Sequence, residues 1–238
     1  AYTTGAEEAT ILANNQCPTS SVAAPVIVLK LLILGDTTVA TVGSTLQTRF
    51  TALGYTNNIT ITTRQLGTTE AGTDLTTSNY DVLLMYTSTG NKGAAALTTA
   101  ITSFIDSGGH FVNTANFFGT LYPTGFFPGN ATYSAFNSVG FDSTNSTDMY
   151  VVVTSVITDG VGLSLTNGVA VGAEGNPSVV AGGTKLATSG LGGNSLLAIG
   201  TKGTSRLVSI NRYIGAIDVY TNLRDLVANA VLYAKSLI

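Results

Sequence analysis

The sequence is short of the residues on which most enzyme chemistry is built. It holds one cysteine, Cys17, and one histidine, His110, in 238 residues. A single cysteine excludes an intrachain disulfide and a multi-cysteine zinc site. A single histidine starves both the Ser/His/Asp triad and the histidine-pair metal site of parts. Charge is scarce as well: Asp, Glu, Lys and Arg make up 10% of the chain, where an average soluble domain carries roughly 25%. The net charge is −3, and the basic residues are scattered without a cluster, so the electrostatic footprint of a nucleic-acid binder is missing. The longest apolar stretch, 22–34, is broken by Pro25 and Lys30 and falls short of the ~20 residues a membrane helix needs. Neither nucleic acid nor a bilayer interior is an expected partner, and no cofactor, metal or catalytic residue is expected.

What is present is a chain that is 44% hydrophobic and long enough for one sizeable core. With so few charges, its surface must be built from Thr, Ser, Asn and Gly. A weakly charged surface of that kind suits a protein with permanent neighbours, outside the cell or in a particle. The chain begins at Ala1, which fits removal of a signal peptide and equally removal of an initiator methionine. Asn58, Asn130 and Asn145 each open an Asn-x-Ser/Thr sequon; in a chain this rich in Asn and Thr such matches arise by chance.

Residues 1–24 are small and polar and read as an extended N-terminal arm. The α/β domain then runs over 25–238. A near-continuous apolar run over 26–34 predicts a buried parallel strand. It leads through Gly35-Asp36-Thr37-Thr38 into a helix with Val39, Val42, Leu46, Phe50 and Leu53 on one face, stopped by Gly54. Strands follow at 59–63 and 80–86. A second helix presents Leu97, Ile101, Phe104 and Ile105 and ends at Gly108-Gly109, before a fourth strand at 110–114. From 115 to 193 the character changes to a β-rich insertion, with strand-like stretches at 149–158 and 179–188 and a kink or turn at Gly182-Gly183. The core resumes with a hairpin, 195–200 and 206–211 around Lys202-Gly203. A closing helix follows, with Leu223, Leu226, Val227, Ala230, Val231 and Ala234 at helical spacing. The expected fold is α/β, a doubly wound and mostly parallel sheet of flavodoxin-like type.

Four pieces carry a family resemblance: Lys30-Leu-Leu-Ile-Leu-Gly35, Tyr80-Asp-Val-Leu-Leu-Met85, the helix, Gly-Gly and strand over 97–112, and Ser205-Arg-Leu-Val-Ser-Ile210 followed by the helix over 222–234. At these residues the chain resembles the class I glutamine amidotransferase-like superfamily and, within it, the ThuA-like proteins, over about 25–120 and 195–238. The resemblance implies a functional group at the tight turn after the fourth strand, a Cys in the amidotransferases and often a His in ThuA-like proteins. Here that turn reads Asn113-Thr114-Ala115-Asn116. The domain is thus expected to be one that lacks the catalytic Cys or His, with His110 at the opposite end of that strand.

Asp36 is the best-placed polar residue, because ligands of open α/β sheets bind outside the carboxyl ends of the strands. With Thr37, Thr38 and the helix start behind them it suits an anion or metal ligand, though an N-cap for that helix is the reading the sequence favours. The loop departs at Ala40 from the Asp-x-Ser-x-Ser metal loop of von Willebrand A domains. Asn113 and Arg212 complete the candidate ligand site. Asn211-Arg212-Tyr213, with Asp218 and Arg224, is expected to cluster beside Asp36. Tyr122, Phe126, Phe127 and Tyr133 form a candidate interaction patch and equally a small core for the insertion. Glycosidase carboxylates would have to come from Asp142, Asp148, Asp159 or Glu174, and no spacing ties any two together. The expected function is a non-catalytic structural subunit of an extracellular or viral assembly, partnered by copies of itself or by other subunits. The alternatives are a ThuA-like carbohydrate-active enzyme and a glycan- or host-surface-binding module.

Overall fold

Strand β1, Leu29–Gly35, is buried at every residue but Lys30, so it must be covered on both faces. Its alternation shows how. Leu29, Leu31 and Ile33 join one core with Val39, Val42, Leu46 and Phe50 of α1 (Val39–Ala52) and Leu223, Leu226, Val227 and Val231 of α3 (Thr221–Ala234). Leu32 and Leu34 join the other, with Leu97, Ile101, Phe104 and Ile105 of α2 (Ala95–Asp106). The computed structural model that shows this describes residues 28–55, 58–67, 69–87, 95–114, 131–137, 148–165, 177–190 and 193–238.

The remaining strands are β2 (Ile59–Gln65), β3 (Val82–Met85), β4 (His110–Thr114), β5 (Met149–Val151), β6 (Thr184–Ser189), β7 (Ser195–Lys202) and β8 (Ser205–Ile210). They form one eight-stranded sheet in the order β2-β1-β3-β4-β8-β7-β6-β5. The pairings from β2 through β8 are parallel, and those of β8 with β7, β7 with β6 and β6 with β5 are antiparallel. The expected doubly wound α/β sheet is the one observed. Its antiparallel half begins at the β7–β8 hairpin, whose turn is made by Gly203 at φ 58°, a left-handed conformation that favours glycine.

Three local expectations are corrected. Leu53 does not share the buried face of α1. The helix ends at Ala52, and Leu53, at 38% exposure, has already left it. The strand expected over 149–158 stops at Val151, because the N–H groups of Val152 and Val153 converge on one acceptor, Leu186 O, at 2.8 and 3.1 Å, which ends the ladder. A turn closed by Thr158 Oγ1 on Ser155 O (2.9 Å) follows. The third concerns extent only: the turn expected at Gly182-Gly183 is present at Gly182 (φ 81°), Val179 bridges to Phe136, and β6 begins only at Thr184. The described part of 115–193 thus contributes β5 and β6 to the same sheet as the rest.

The corrected end of α1 makes a prediction. Phe50→Ala should lower unfolding free energy by ~3–5 kcal/mol, the range for a fully buried aromatic. Leu53→Ala should cost under about 1 kcal/mol. Urea unfolding of the two variants checks it, and similar costs would return Leu53 to the core.

Candidate functional site

The carboxyl ends of the parallel strands lie level with one another, since Leu34 is in register with Met85, Met85 with Asn113 and Asn113 with Ser209. Asp36, Tyr86, Thr87, Asn113 and the segment 211–213 are therefore brought to one edge of the sheet. They divide between its two faces.

On the α1/α3 face the centre is Asp36, buried at 7% exposure. Its Oδ1 accepts the backbone N–H of Thr38 (3.0 Å) and the Thr38 hydroxyl (2.7 Å), closing a turn just before α1. Its Oδ2 accepts the Tyr213 hydroxyl at 2.6 Å. Thr38 Oγ1 also lies 3.0 Å from the Tyr86 hydroxyl, and the rings of Tyr86 and Tyr213 are tilted at 59° with centroids 6.0 Å apart. Only glycine fits at position 35, because a Cβ there would fall inside the Tyr86 ring. Burial holds the Tyr86 phenol well above the ordinary tyrosine range; the Thr38 hydrogen bond works against that shift, and the Asp36 charge adds to it. Tyr86 is thus a neutral hydrogen-bonding group and no base. Thr37 is exposed beside this cluster.

On the α2 face stands Asn113, 1% exposed. Its Oδ1 accepts the Ser209 hydroxyl (2.7 Å), and its Nδ2 donates to Ser134 Oγ (3.1 Å). The backbone N–H groups of Ala135 and Phe136 donate in turn to Ser209 Oγ (3.0 Å) and Ser134 Oγ (3.2 Å). The amide spends both its ends clamping the 134–136 segment to the sheet.

Arg212, also 1% exposed, turns toward the antiparallel half. Nη1 donates to Asn211 O (2.7 Å) and Nη2 to Ser189 Oγ at the end of β6 (2.6 Å). Burial pushes the guanidinium down to about 10, which leaves it charged at neutral pH. Asn211 Nδ2 donates to Ser195 O (2.9 Å). Of the cluster expected beside Asp36, Tyr213 bonds it directly, and Arg212 bonds Asn211 and Ser189. Arg224 Nε donates to its neighbour Asp225 (2.9 Å), which also takes Arg49 of α1 (3.1 Å), and Asp218 is exposed.

Tyr122, Phe126 and Phe127 lie outside the described residues. Tyr133, in a short 3-10 turn (Ala131–Tyr133), donates to Asp106 Oδ2 (2.8 Å), and Lys202 Nζ sits 4.2 Å from its ring centroid. It links the end of α2 to the β7–β8 hairpin. A cleft of about 690 Å³ opens nearby, lined by Thr132, Ser134, Asn137, Gly200, Thr201 and Lys202 among others. His110 lies at the opposite edge, where its Nδ1 accepts the Arg206 backbone N–H (3.1 Å). Among the described residues no group of three His, Cys, Asp or Glu side chains is placed to hold a metal. Sequence reasoning missed Tyr86, Ser134 and Ser209. Ser209 had a signal, since it is a polar residue inside an apolar strand.

No family model and no curated protein matches the chain. Solved structures match it in fold. A cytoplasmic protein from Salmonella typhimurium LT2 aligns with 12% identity over 87% of this chain and 100% of its own, at a TM-score of 0.62. ThuA-like proteins from Bacteroides uniformis ATCC 8492 and Parabacteroides merdae ATCC 43184 align at 13% and 12% identity, with TM-scores of 0.55 and 0.54. They cover 92% and 88% of this chain, and the match covers 95% and 90% of theirs. The chain has the fold of the ThuA-like proteins. At such identities the likeness extends to the fold alone.

The hydrogen bonds at this sheet edge predict unequal mutational costs. Ser209→Ala strips buried partners from Asn113 and from the Ala135 N–H and should cost ~1–3 kcal/mol. Thr37→Ala, exposed, should stay within about 0.5 kcal/mol. Denaturant unfolding reads both, and equal values would contradict the assignment of Asn113 to the clamp.

Proposed function

We propose that this chain is a non-catalytic structural subunit, a ThuA-like α/β domain lacking the catalytic Cys or His, that associates with copies of itself or with other subunits of an extracellular or virion assembly. The observation that carries the reading is the state of the carboxyl edge. Asp36, Asn113 and Arg212 are all buried and hydrogen-bonded to the fold itself. A general acid, base or nucleophile needs a lone pair or proton within reach of a substrate. Such groups here are committed to neighbouring side chains and backbone. β4 ends in Asn113-Thr114, followed in sequence by Ala115-Asn116, and the one histidine is at the other end of that strand.

Support for association comes from the β5 end of the sheet. Tyr150, Val152, Val153, Val156 and Leu163 are exposed large hydrophobics, all within 148–165, a stretch that carries no Lys or Arg. Met149 N–H donates to Leu163 O (2.6 Å), which holds the two parts of this surface together. Clustered exposed apolar residues mark interaction sites on soluble proteins.

Light scattering with electron microscopy of the natively purified protein tests the proposal. The expected result is a regular assembly that Val152→Asp with Leu163→Asp reduces to smaller species without lowering the unfolding midpoint. A wild-type protein that stays monomeric at every accessible concentration would overturn it. The second reading, a glycan-binding module, draws on the cleft beside Ser134, where Thr132, Asn137 and Thr201 offer hydroxyl and amide groups. Saturable binding of a neutral oligosaccharide to a monomer, measured by calorimetry, would put that reading first.

A further inference from the structure

The amino edge of the sheet, opposite the candidate site, holds a second polar cluster built around the one histidine. His110 opens β4 and is half-buried. Its backbone N–H donates to Asp81 O (2.9 Å). Its Nδ1 accepts the backbone N–H of Arg206 (3.1 Å). The β4–β8 register begins one residue further on, at Phe111 and Leu207. The imidazole therefore supplies the first bond of this pairing, ahead of the backbone ladder. Arg206 in turn donates from Nη1 to Tyr233 O (2.6 Å) in the last turn of α3, with its guanidinium 4.8 Å from the Tyr233 ring centroid. Lys235, just past α3, donates to Asp81 Oδ1 (2.6 Å), and Asp81 Oδ2 accepts the Lys30 backbone N–H (2.7 Å). Lys30 Nζ donates away from the imidazole, to Ser78 O (3.0 Å). The charged groups that face His110 are thus Lys235 after α3, Arg206 on β8 and Asp81 before β3, with Lys30 of β1 and Tyr233 of α3 beyond them.

We propose that His110 is a proton-operated latch: neutral, it closes the amino ends of β4 and β8 on each other and steadies the end of α3; protonated, it releases them. Protonation turns Nδ1 from acceptor to donor, so that it meets the Arg206 N–H donor to donor. It also adds a positive charge among Lys235 and Arg206, opposed among the described residues by Asp81. Burial first, then Lys235 and Arg206, hold the imidazole below the ordinary histidine range, with Asp81 opposing. The sign follows: between its depressed folded value and the usual 6.5 the unfolded or opened chain binds a proton that the closed form does not. The latch contributes fully above about pH 6.5 and weakens as pH falls, with the open fraction growing by up to about tenfold per pH unit. This inference is independent of the assembly reading.

Amide hydrogen exchange of the full chain, resolved by mass spectrometry at Arg206 and over the end of α3, tests it between pH 7.5 and 5. Ring-proton exchange of His110 gives its titration in the same samples. Arg206 protection, corrected for intrinsic rates, should fall as the pH drops below about 6.5, while the amides of β1 keep theirs. In His110→Asn, whose Oδ1 takes the place of Nδ1 but does not titrate, Arg206 protection should be flat with pH. Constant protection in the wild type through the titration would overturn the latch, and so would the same pH dependence in the variant. Should the variant fail to fold, the wild-type comparison decides alone.

Discussion

The parallel pairing of β4 with β8 is the contact on which both edges of this sheet depend. β8 is the last parallel strand and the first antiparallel one, so a break there would separate the wound half from the hairpin half. Every polar feature of note is strung along it. Arg206 bonds the imidazole at the start of β4, Ser209 bonds Asn113 in the middle, and Asn211, Arg212 and Tyr213 bond Ser195, Ser189 and Asp36 just past its end. Five hydrogen bonds thus reach from one short segment to β4, β6, β7 and the end of β1.

Such a seam has a consequence for chemistry. A buried polar group is tolerated when its hydrogen bonds are made inside the protein, and removing one partner costs the full desolvation of the other. Buried networks of this kind, when satisfied, rigidify a core and specify one arrangement. In a chain with so little charge, polar interactions of hydroxyls and amides carry much of that specification. The same satisfaction ties Asp36 and Asn113 to neighbouring groups of the fold. A fixed edge and the exposed apolar residues within 150–163 are what the proposed role in an assembly draws on.

Much of the fold was legible because buried strands and helix faces have distinct periods. The run at 26–34, the helix faces of α1 and α2 and the limits of β4 all follow from apolar spacing and glycine stops. The stretch 149–158 was misleading, since its valines carry the strand pattern while the shared Leu186 carbonyl that ends the ladder is invisible in sequence. The place of Asp36 just past the end of β1 was legible from where the apolar run stops. Tyr213 reaches Asp36 directly, while the Arg212 guanidinium bonds Ser189 at the end of β6, a partner that lies 23 residues away in sequence. The partners of Asn113 lie 96 and 21 residues away and meet it only through register and a turn.

The central claim is that the carboxyl edge is fastened for stability. A double-mutant cycle on Asp36→Ala and Tyr213→Phe, measured by urea unfolding at neutral pH, tests it most directly. The 2.6 Å bond between a buried carboxylate and a tyrosine hydroxyl predicts a coupling of ~1.5–3 kcal/mol. Costs that simply add, to within about 0.5 kcal/mol, would contradict the account and free Asp36 for another role.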